Sequence, residues 1–233
     1  MARPAQTPRA VLLDALGTLV ELDDPVAGLQ RALSARGVTV GARAVGGALR
    51  VEIDHYRAEH HVAVDAPTLA ELRRGCARVF GAALGEPVAH LGEAELHDAL
   101  LEGLRFRAFD DVIPALAALR ARGTALAVVS NWDVSLHQVL ADTGLAASVD
   151  VVLTSAEEHT QKPEPALFLR ALERLGGVPP DQALHVGDDL VADVAGARAA
   201  GIEPLLIDRE GAGGPSGGAR VIRTLAELSV ARR

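Results

Sequence analysis

Lys162 is the only lysine in a chain whose other basic residues are all arginines, 23 Lys plus Arg in total. It stands in Gln161-Lys162-Pro163-Glu164-Pro165, just ahead of a helical pattern. An ammonium is a compact point charge with three donors, whereas a guanidinium is a planar fork. A tight pocket that must steady a carboxylate and an incoming anion calls for the ammonium, so Lys162 is the first functional candidate. Asp14 follows the apolar run Ala10-Val11-Leu12-Leu13, and Asp188 and Asp189 follow Ala183-Leu184-His185-Val186-Gly187. Such carboxylates, gathered together, would repel one another unless a cation joined them. Asp14, Asp188 and Asp189 could supply the hard oxygen ligands that Mg2+ takes, with water completing its octahedron. Asp14 could equally attack a phosphorus or carbon centre, with Lys162 and metal offsetting the charge that accumulates. Ser130 and nearby N–H groups would hold the non-reacting oxygens. Asn131 has a second reading as part of a helix cap. Asp193, four residues after Asp189 on the same helical face, is placed to orient Lys162.

The elements that must position these groups are short apolar runs. Ala10–Leu13, Ala125–Val129, Val149–Leu153, Ala183–Val186 and Pro204–Ile207 read as buried strands. Helical patterns lie between them, near 111–122, 134–143, 164–175 and 190–200. Alternating strand and helix predicts an α/β fold with a mostly parallel sheet covered on both faces. In such sheets sites form at the carboxyl ends of the strands, where Asp14, Thr18, Ser130, Asn131, Asp188 and Asp189 all fall. Residues 21–105 break the alternation, with helical periodicity near 25–36, 41–60, 68–84 and 93–102. A small all-helical domain is therefore expected at 21–105, inserted into a core formed by 1–20 and 106–233. The Gly-rich stretch 211–218 reads as a loop, and 221–229 as a segment packed back on the core.

Composition narrows the function. Charged residues make up 23% and aromatics 3%, with a formal charge of -8. An acidic chain with scattered arginines is a poor binder of nucleic acid or anionic membrane. One cysteine, Cys76, excludes an intrachain disulfide and CxxC chemistry, and its helical setting predicts a small buried side chain. Residues 1–9 are polar, and the apolar run after them is broken by Asp14. This suits neither a signal peptide nor a membrane span. A cytoplasmic protein, monomer or homodimer, acting on a small anionic substrate is expected.

With Asp14-Ala15-Leu16-Gly17-Thr18-Leu19, Val128-Val129-Ser130-Asn131, Gln161-Lys162-Pro163-Glu164-Pro165 and Val186-Gly187-Asp188-Asp189 plus Asp193 in this order, the chain resembles the haloacid dehalogenase-like hydrolase superfamily. The resemblance spans nearly the whole chain and implies a Rossmann-like core with a helical cap. It implies Asp14 as nucleophile, Ser130 holding the transferred group and Lys162 steadying nucleophile and phosphate. Asp14, the Leu16 backbone carbonyl and Asp188 would bind Mg2+, with Asp189 and Asp193 completing the acidic motif. One position departs from the family pattern. Its phosphatases usually carry a second aspartate where this chain has Leu16, and that acid protonates the leaving oxygen and later activates water. Leucine does neither, and positioned proton transfer is worth on the order of 10²–10⁴ in rate. Weak turnover on alkyl phosphates is expected, with less penalty where the leaving group needs no proton.

Alternatives remain at this level. Phosphonate-cleaving relatives need a cap lysine, and this cap has none. The 2-haloacid dehalogenases resemble the opening motif but usually have Tyr at position 16 and a less acidic fourth motif. A member that binds phosphate without useful turnover is the third possibility. For substrate contact the expected residues are Thr18, Asn131, Trp132 and, from the cap, Arg57. Arg57 belongs to a polar group with His55, Tyr56, His60 and His61, whose zinc reading is weak for want of further ligands. His159 is expected near the entrance, and His185 within its strand as a structural residue.

Overall fold

The computed structural model describes residues 8–228, so residues 1–7 of the polar start and residue 229 of the last expected segment lie outside it. By internal contact the chain divides into two compact units. One comprises Met1–Glu21, Ala108–Trp132 and Leu136–Arg233, the other Leu22–Arg107 and Asp133–Ser135.

In chain order the elements are β1 (Ala10–Leu13), β2 (Val20–Leu22), α1 (Pro25–Ser34), α2 (Ala42–Glu59), α3 (Ala66–Leu84), α4 (Glu93–Gly103), β3 (Phe106–Ala108), α5 (Val112–Ala121) and β4 (Ala125–Ser130). They continue with α6 (Leu136–Asp142), β5 (Val151–Thr154), α7 (Ser155–Glu158), α8 (Pro165–Arg174), β6 (Ala183–Gly187), α9 (Gly196–Ala199), β7 (Glu203–Ile207) and β8 (Arg220–Ile222). A π-helical turn, Leu190–Ala195, leads into α9.

The first unit is built on a six-stranded sheet in the order β5-β4-β1-β6-β7-β8. All five pairings are parallel. β1 sits at the centre, with Ala10 facing Ala125 on one side and Ala183 on the other. Every β1 residue is fully buried, as expected where helices cover both faces of a strand. On one face Leu12, Val129 and Leu153 pack with Leu167, Phe168, Ala171 and Leu172 of α8. Each large side chain fully buried there stabilises the sheet by about 1.5–3 kcal/mol. The strand order reverses at β1, so the carboxyl ends of β1, β4 and β6 open a crevice. Asp14, Ser130 and Asp188 lie at those ends.

The second unit is helical, with its own core of Leu29, Leu33, Val45, Leu49, Leu72, Phe80 and Leu100. Two of its helices start at side-chain caps. Asp24 accepts from the Ala27 amide ahead of α1, and Asp65 with Thr68 forms a capping box ahead of α3, each followed by a proline in the first turn. Cys76 is buried in α3. The sequence pattern gives no strand where the chain passes between the units, yet β2 and β3 pair there as a separate two-stranded sheet.

Candidate active site

Backbone geometry brings the carboxylates together. The Asp14 amide donates to the Val186 carbonyl at 2.9 Å, fixing the exit of β1 against β6. The following loop closes on itself, because the Ala15 carbonyl accepts from the amides of Thr18, Leu19 and Val20. Gly17 takes φ +78 in that loop, and a Cβ there would lie 2.2 Å from Asp188 Oδ2. Glycine is required twice over, for the backbone angle and for the carboxylate resting on it. Gly187 is equally constrained, since a Cβ would meet Asp193 Cγ at 2.1 Å.

Lys162 is buried with Nζ 2.5 Å from Asp14 Oδ1 and 2.6 Å from Asp193 Oδ1. The Ser130 hydroxyl donates to the same Asp14 oxygen at 2.9 Å. Asn131 sets the lysine backbone: its Oδ1 accepts from the Lys162 amide at 2.8 Å and its Nδ2 donates to the Lys162 carbonyl at 2.9 Å. The Lys162–Pro163 peptide bond is cis. Asp193 Oδ1 also faces His185 Nε2 at 2.9 Å, and its Oδ2 accepts from the Asp189 amide at 3.0 Å. Because Asp193 is a carboxylate acceptor, His185 carries its proton on Nε2. The buried imidazole stands edge-on to Phe168, ring centroids 4.9 Å apart.

The electrostatics follow from one ammonium among three carboxylates. Burial works against the Lys162 charge, yet Asp14 and Asp193 hold its ammonium above the ordinary lysine range. Asp193 is held below the usual carboxylate range, where the pull of Lys162 and His185 outweighs desolvation. Asp14 is raised by desolvation and by Asp193, against the pull of Lys162. Asp188 keeps contact with solvent, but partial desolvation of its carboxylate and the charges of Asp14 and Asp193 push it up to about 7.

Asp14, Asp188 and Asp193 each offer an oxygen within 4.8 Å of the others. Among the described residues this is the group of carboxylates, imidazoles and thiols close enough to hold a metal ion. All its donors are carboxylate oxygens, which suit a hard divalent cation. Asp193 is the least free to ligate, because Lys162, His185 and the Asp189 amide already occupy both its oxygens. Asp189, expected as a ligand, stands outside the group. Its Oδ1 instead accepts from the Val191 and Ala192 amides, capping the π-helical turn.

The expected substrate contacts separate. Thr18 is fully buried, its hydroxyl without a hydrogen-bond partner, so it presents no side chain to a ligand here. Trp132 is buried, with its amide donating to Ser155 Oγ and its carbonyl accepting from the Ala156 amide. Asn131 is occupied with Lys162, as described. Leu16, by contrast, is 38% exposed. In the helical unit Arg57 is exposed on α2, while Tyr56 donates to Asp133 Oδ2 at 2.9 Å and packs against buried His60. No zinc-like set forms there among the described residues. His159 is exposed and ends α7 in the left-handed region.

The family model for haloacid dehalogenase-like hydrolases matches residues 8–201, a stretch that contains every site residue of the first unit. The chain belongs to that family. Its fold and aspartate cluster are those of a haloacid dehalogenase-type hydrolase. The phosphoserine phosphatase of Thermus thermophilus is 39% identical over 135 residues, covering 57% of this chain and 54% of that protein. The chain spans about half the length of the curated relatives it matches first. Among solved structures, a haloacid dehalogenase-type phosphatase from Thermococcus onnurineus aligns at TM-score 0.65 and 29% identity, covering 94% and 95% of the two chains. The L-2-haloacid dehalogenase of Xanthobacter autotrophicus shares the fold at TM-score 0.67 and 21% identity, covering 95% and 97%. No helix among the described residues is long and apolar enough to cross a membrane.

Proposed function

We propose that the protein is a Mg2+-dependent phosphatase of small molecules, working through an aspartyl-phosphate on Asp14 and turning over alkyl phosphates weakly. The observation that carries this reading is the Lys162 ammonium 2.5 Å from Asp14 Oδ1, with a carboxylate oxygen of Asp188 within 4.8 Å of one on Asp14. Asp14, Asp188 and the Leu16 carbonyl would hold Mg2+, which supplies charge neutralisation for a bound phosphoryl group. Asp14 attacks phosphorus, its new O–P bond forming as the bond to the leaving oxygen breaks. The Ser130 hydroxyl, now on Asp14, donates to a phosphoryl oxygen, and Lys162 offsets charge on nucleophile and phosphate. Water then attacks phosphorus, releasing phosphate and restoring the Asp14 carboxylate. Leu16 offers no proton to the leaving oxygen and no base to that water, so both steps lack an acid–base partner at this position. Arg57, from the helical unit, is proposed to read the anionic substrate.

Leu16 also favours a second reading, dehalogenation of a 2-haloacid by carboxylate attack on carbon, which needs no leaving-group acid. Against it stands the acidic cluster, which would repel a haloacid anion. Assays of phosphoesters and 2-haloacids with and without Mg2+, beside Asp14→Asn, separate the readings. The phosphatase predicts Mg2+-dependent phosphate release that the variant abolishes. Halide release without metal would overturn it in favour of dehalogenation. Phosphate affinity with neither product nor phosphorylated Asp14 would favour a binding-only member.

A further inference from the structure

Arg209 follows β7 and none of the sequence motifs includes it. Its side chain is only 13% exposed. Nε and Nη2 both donate to the Thr18 carbonyl, and Nη1 donates to Asp111 Oδ1 at 2.9 Å. Asp111 is held in turn by the Leu225 amide, which donates to its Oδ2 at 2.6 Å. The guanidinium carbon lies 3.8 Å from the centroid of the Phe109 ring, a cation–π contact. Phe109 donates its own amide to the Leu19 carbonyl at 3.1 Å. One side chain thus joins the loop after β1, the entry to α5 and the loop after β7, all within the first unit.

The loop it holds bears the site. Thr18 is the neighbour of Gly17, whose bare Cα is the surface on which the Asp188 carboxylate rests. A carbonyl has no side chain to anchor it, and the buried Thr18 hydroxyl has no partner either. Beyond the closures within the loop, the Arg209 fork hydrogen-bonds the Thr18 carbonyl from outside it. A planar fork that can reach one carbonyl with two N–H groups and a carboxylate with a third is geometry that lysine lacks.

We propose that Arg209 is a positioning residue, fixing the loop from Asp14 to Leu19 through the Thr18 carbonyl so that Asp14 and Asp188 keep their spacing; its catalytic consequence rests on the phosphatase reading above. Two readouts test it. Amide hydrogen exchange in Arg209→Ala should quicken at Gly17, Leu19 and Phe109 while the amides of β4 and β6 keep their protection. Turnover of p-nitrophenyl phosphate should fall in kcat by on the order of 10- to 100-fold, as expected for a small displacement of reacting groups, with KM changed much less. Guanidinium at non-denaturing concentration should restore part of both in Arg209→Ala and do nothing for the wild type. Arg209→Lys keeps the charge and loses the fork, so it should fold and still show faster loop exchange; it carries the comparison if the alanine variant does not fold. Wild-type protection at Gly17 and Leu19 in a folded variant would overturn the proposal, as would loosening spread evenly over the first unit. A wild type that hydrolyses no phosphoester would sink the phosphatase reading, while the exchange result would still decide the role of Arg209.

Discussion

The Lys162 ammonium lies 2.6 Å from Asp193 Oδ1, and that oxygen also accepts from His185 Nε2. All three side chains are buried, so the chain of contacts fixes where the ammonium points before any ligand arrives. Asp193 holds the Lys162 ammonium beside Asp14 and also acts on Asp14 directly through its own charge. Replacing Asp193 with Asn leaves the ammonium one carboxylate and removes half of a buried charge pair. Such losses cost on the order of 3 kcal/mol. Urea unfolding of Asp193→Asn at neutral pH should show a loss of that size, and an unchanged midpoint would mean that Lys162 does not depend on this partner.

Proton linkage predicts opposing trends. Asp193, held low, contributes stability present above about pH 4 and lost as pH falls through its folded value. Lys162, held high, contributes below its ordinary 10.5 and loses that contribution as pH rises through its folded value. Asp188 is raised from 3.8 to about 7, so the folded protein holds a proton that the unfolded chain has released. Its contribution is lost as pH rises from about 4 through about 7, and Asp14, also raised, acts in the same direction. In metal-free buffer the urea midpoint should therefore fall between about pH 5 and about pH 8. Asp188→Asn should flatten that slope, and Mg2+ should lift the wild-type midpoint at the upper pH. A slope identical in both proteins would remove Asp188 as its source.

The central strands were legible because parallel strands covered on both faces carry unbroken apolar runs, as Ala10–Leu13 and Ala125–Val129 do. β8 was not, since its three residues include exposed Arg220 and Val221. β2 and β3 are equally short and half exposed, and leave no alternation to read. Lys162, Asp14 and Ser130 stood out by residue type and by place at strand ends. That Asp189, expected as a ligand, instead caps the next turn was hidden in backbone geometry. Sequence shows a 3.6-residue period across 190–200, whereas the Val194 amide reaches back five residues to the Asp189 carbonyl at 3.1 Å. That widened turn aims Asp193 inward and leaves Asp189 as its cap, a common use of π-helical turns. Arg209 was invisible for another reason: its main partner is a carbonyl, which has no residue type.

Gly17 gives a sharp steric test. Alanine there would have to adopt φ +78 and place its Cβ 2.2 Å from Asp188 Oδ2. The backbone strain alone costs on the order of 1–3 kcal/mol, and Asp188 must move as well. Gly17→Ala should weaken Mg2+ binding, read by calorimetry, by more than it lowers the unfolding midpoint of the metal-free protein. Equal affinity in the variant would show that Asp188 is not held by this contact.

Cys76 should behave as a packing residue. Burial, with Glu52 beside it, pushes its thiol well above the ordinary range, and the thiolate is the reactive form. A disulfide reagent at about pH 8 should leave it untouched in the folded protein and label it at the rate of unfolding. Prompt labelling under native conditions would contradict its buried setting.

Leu16 carries the most informative substitution. It is 38% exposed on a loop whose closure runs through backbone groups, so a carboxylate there remains in contact with water and should cost little stability. Leu16→Asp would introduce an acid at the position where family phosphatases keep theirs. If turnover is limited by the missing proton transfer, the gain should depend on the leaving group. An alkyl phosphate, whose alkoxide must be protonated, should be hydrolysed faster by about 10²-fold or more. Formation of the aspartyl-phosphate from p-nitrophenyl phosphate should change little, because nitrophenolate leaves without a proton. The later attack of water should quicken with both substrates, so single-turnover and steady-state rates must be measured separately. A uniform gain in the first step would point to better metal binding by an extra carboxylate, and no gain at all would mean that Leu16 is not where this protein loses its rate.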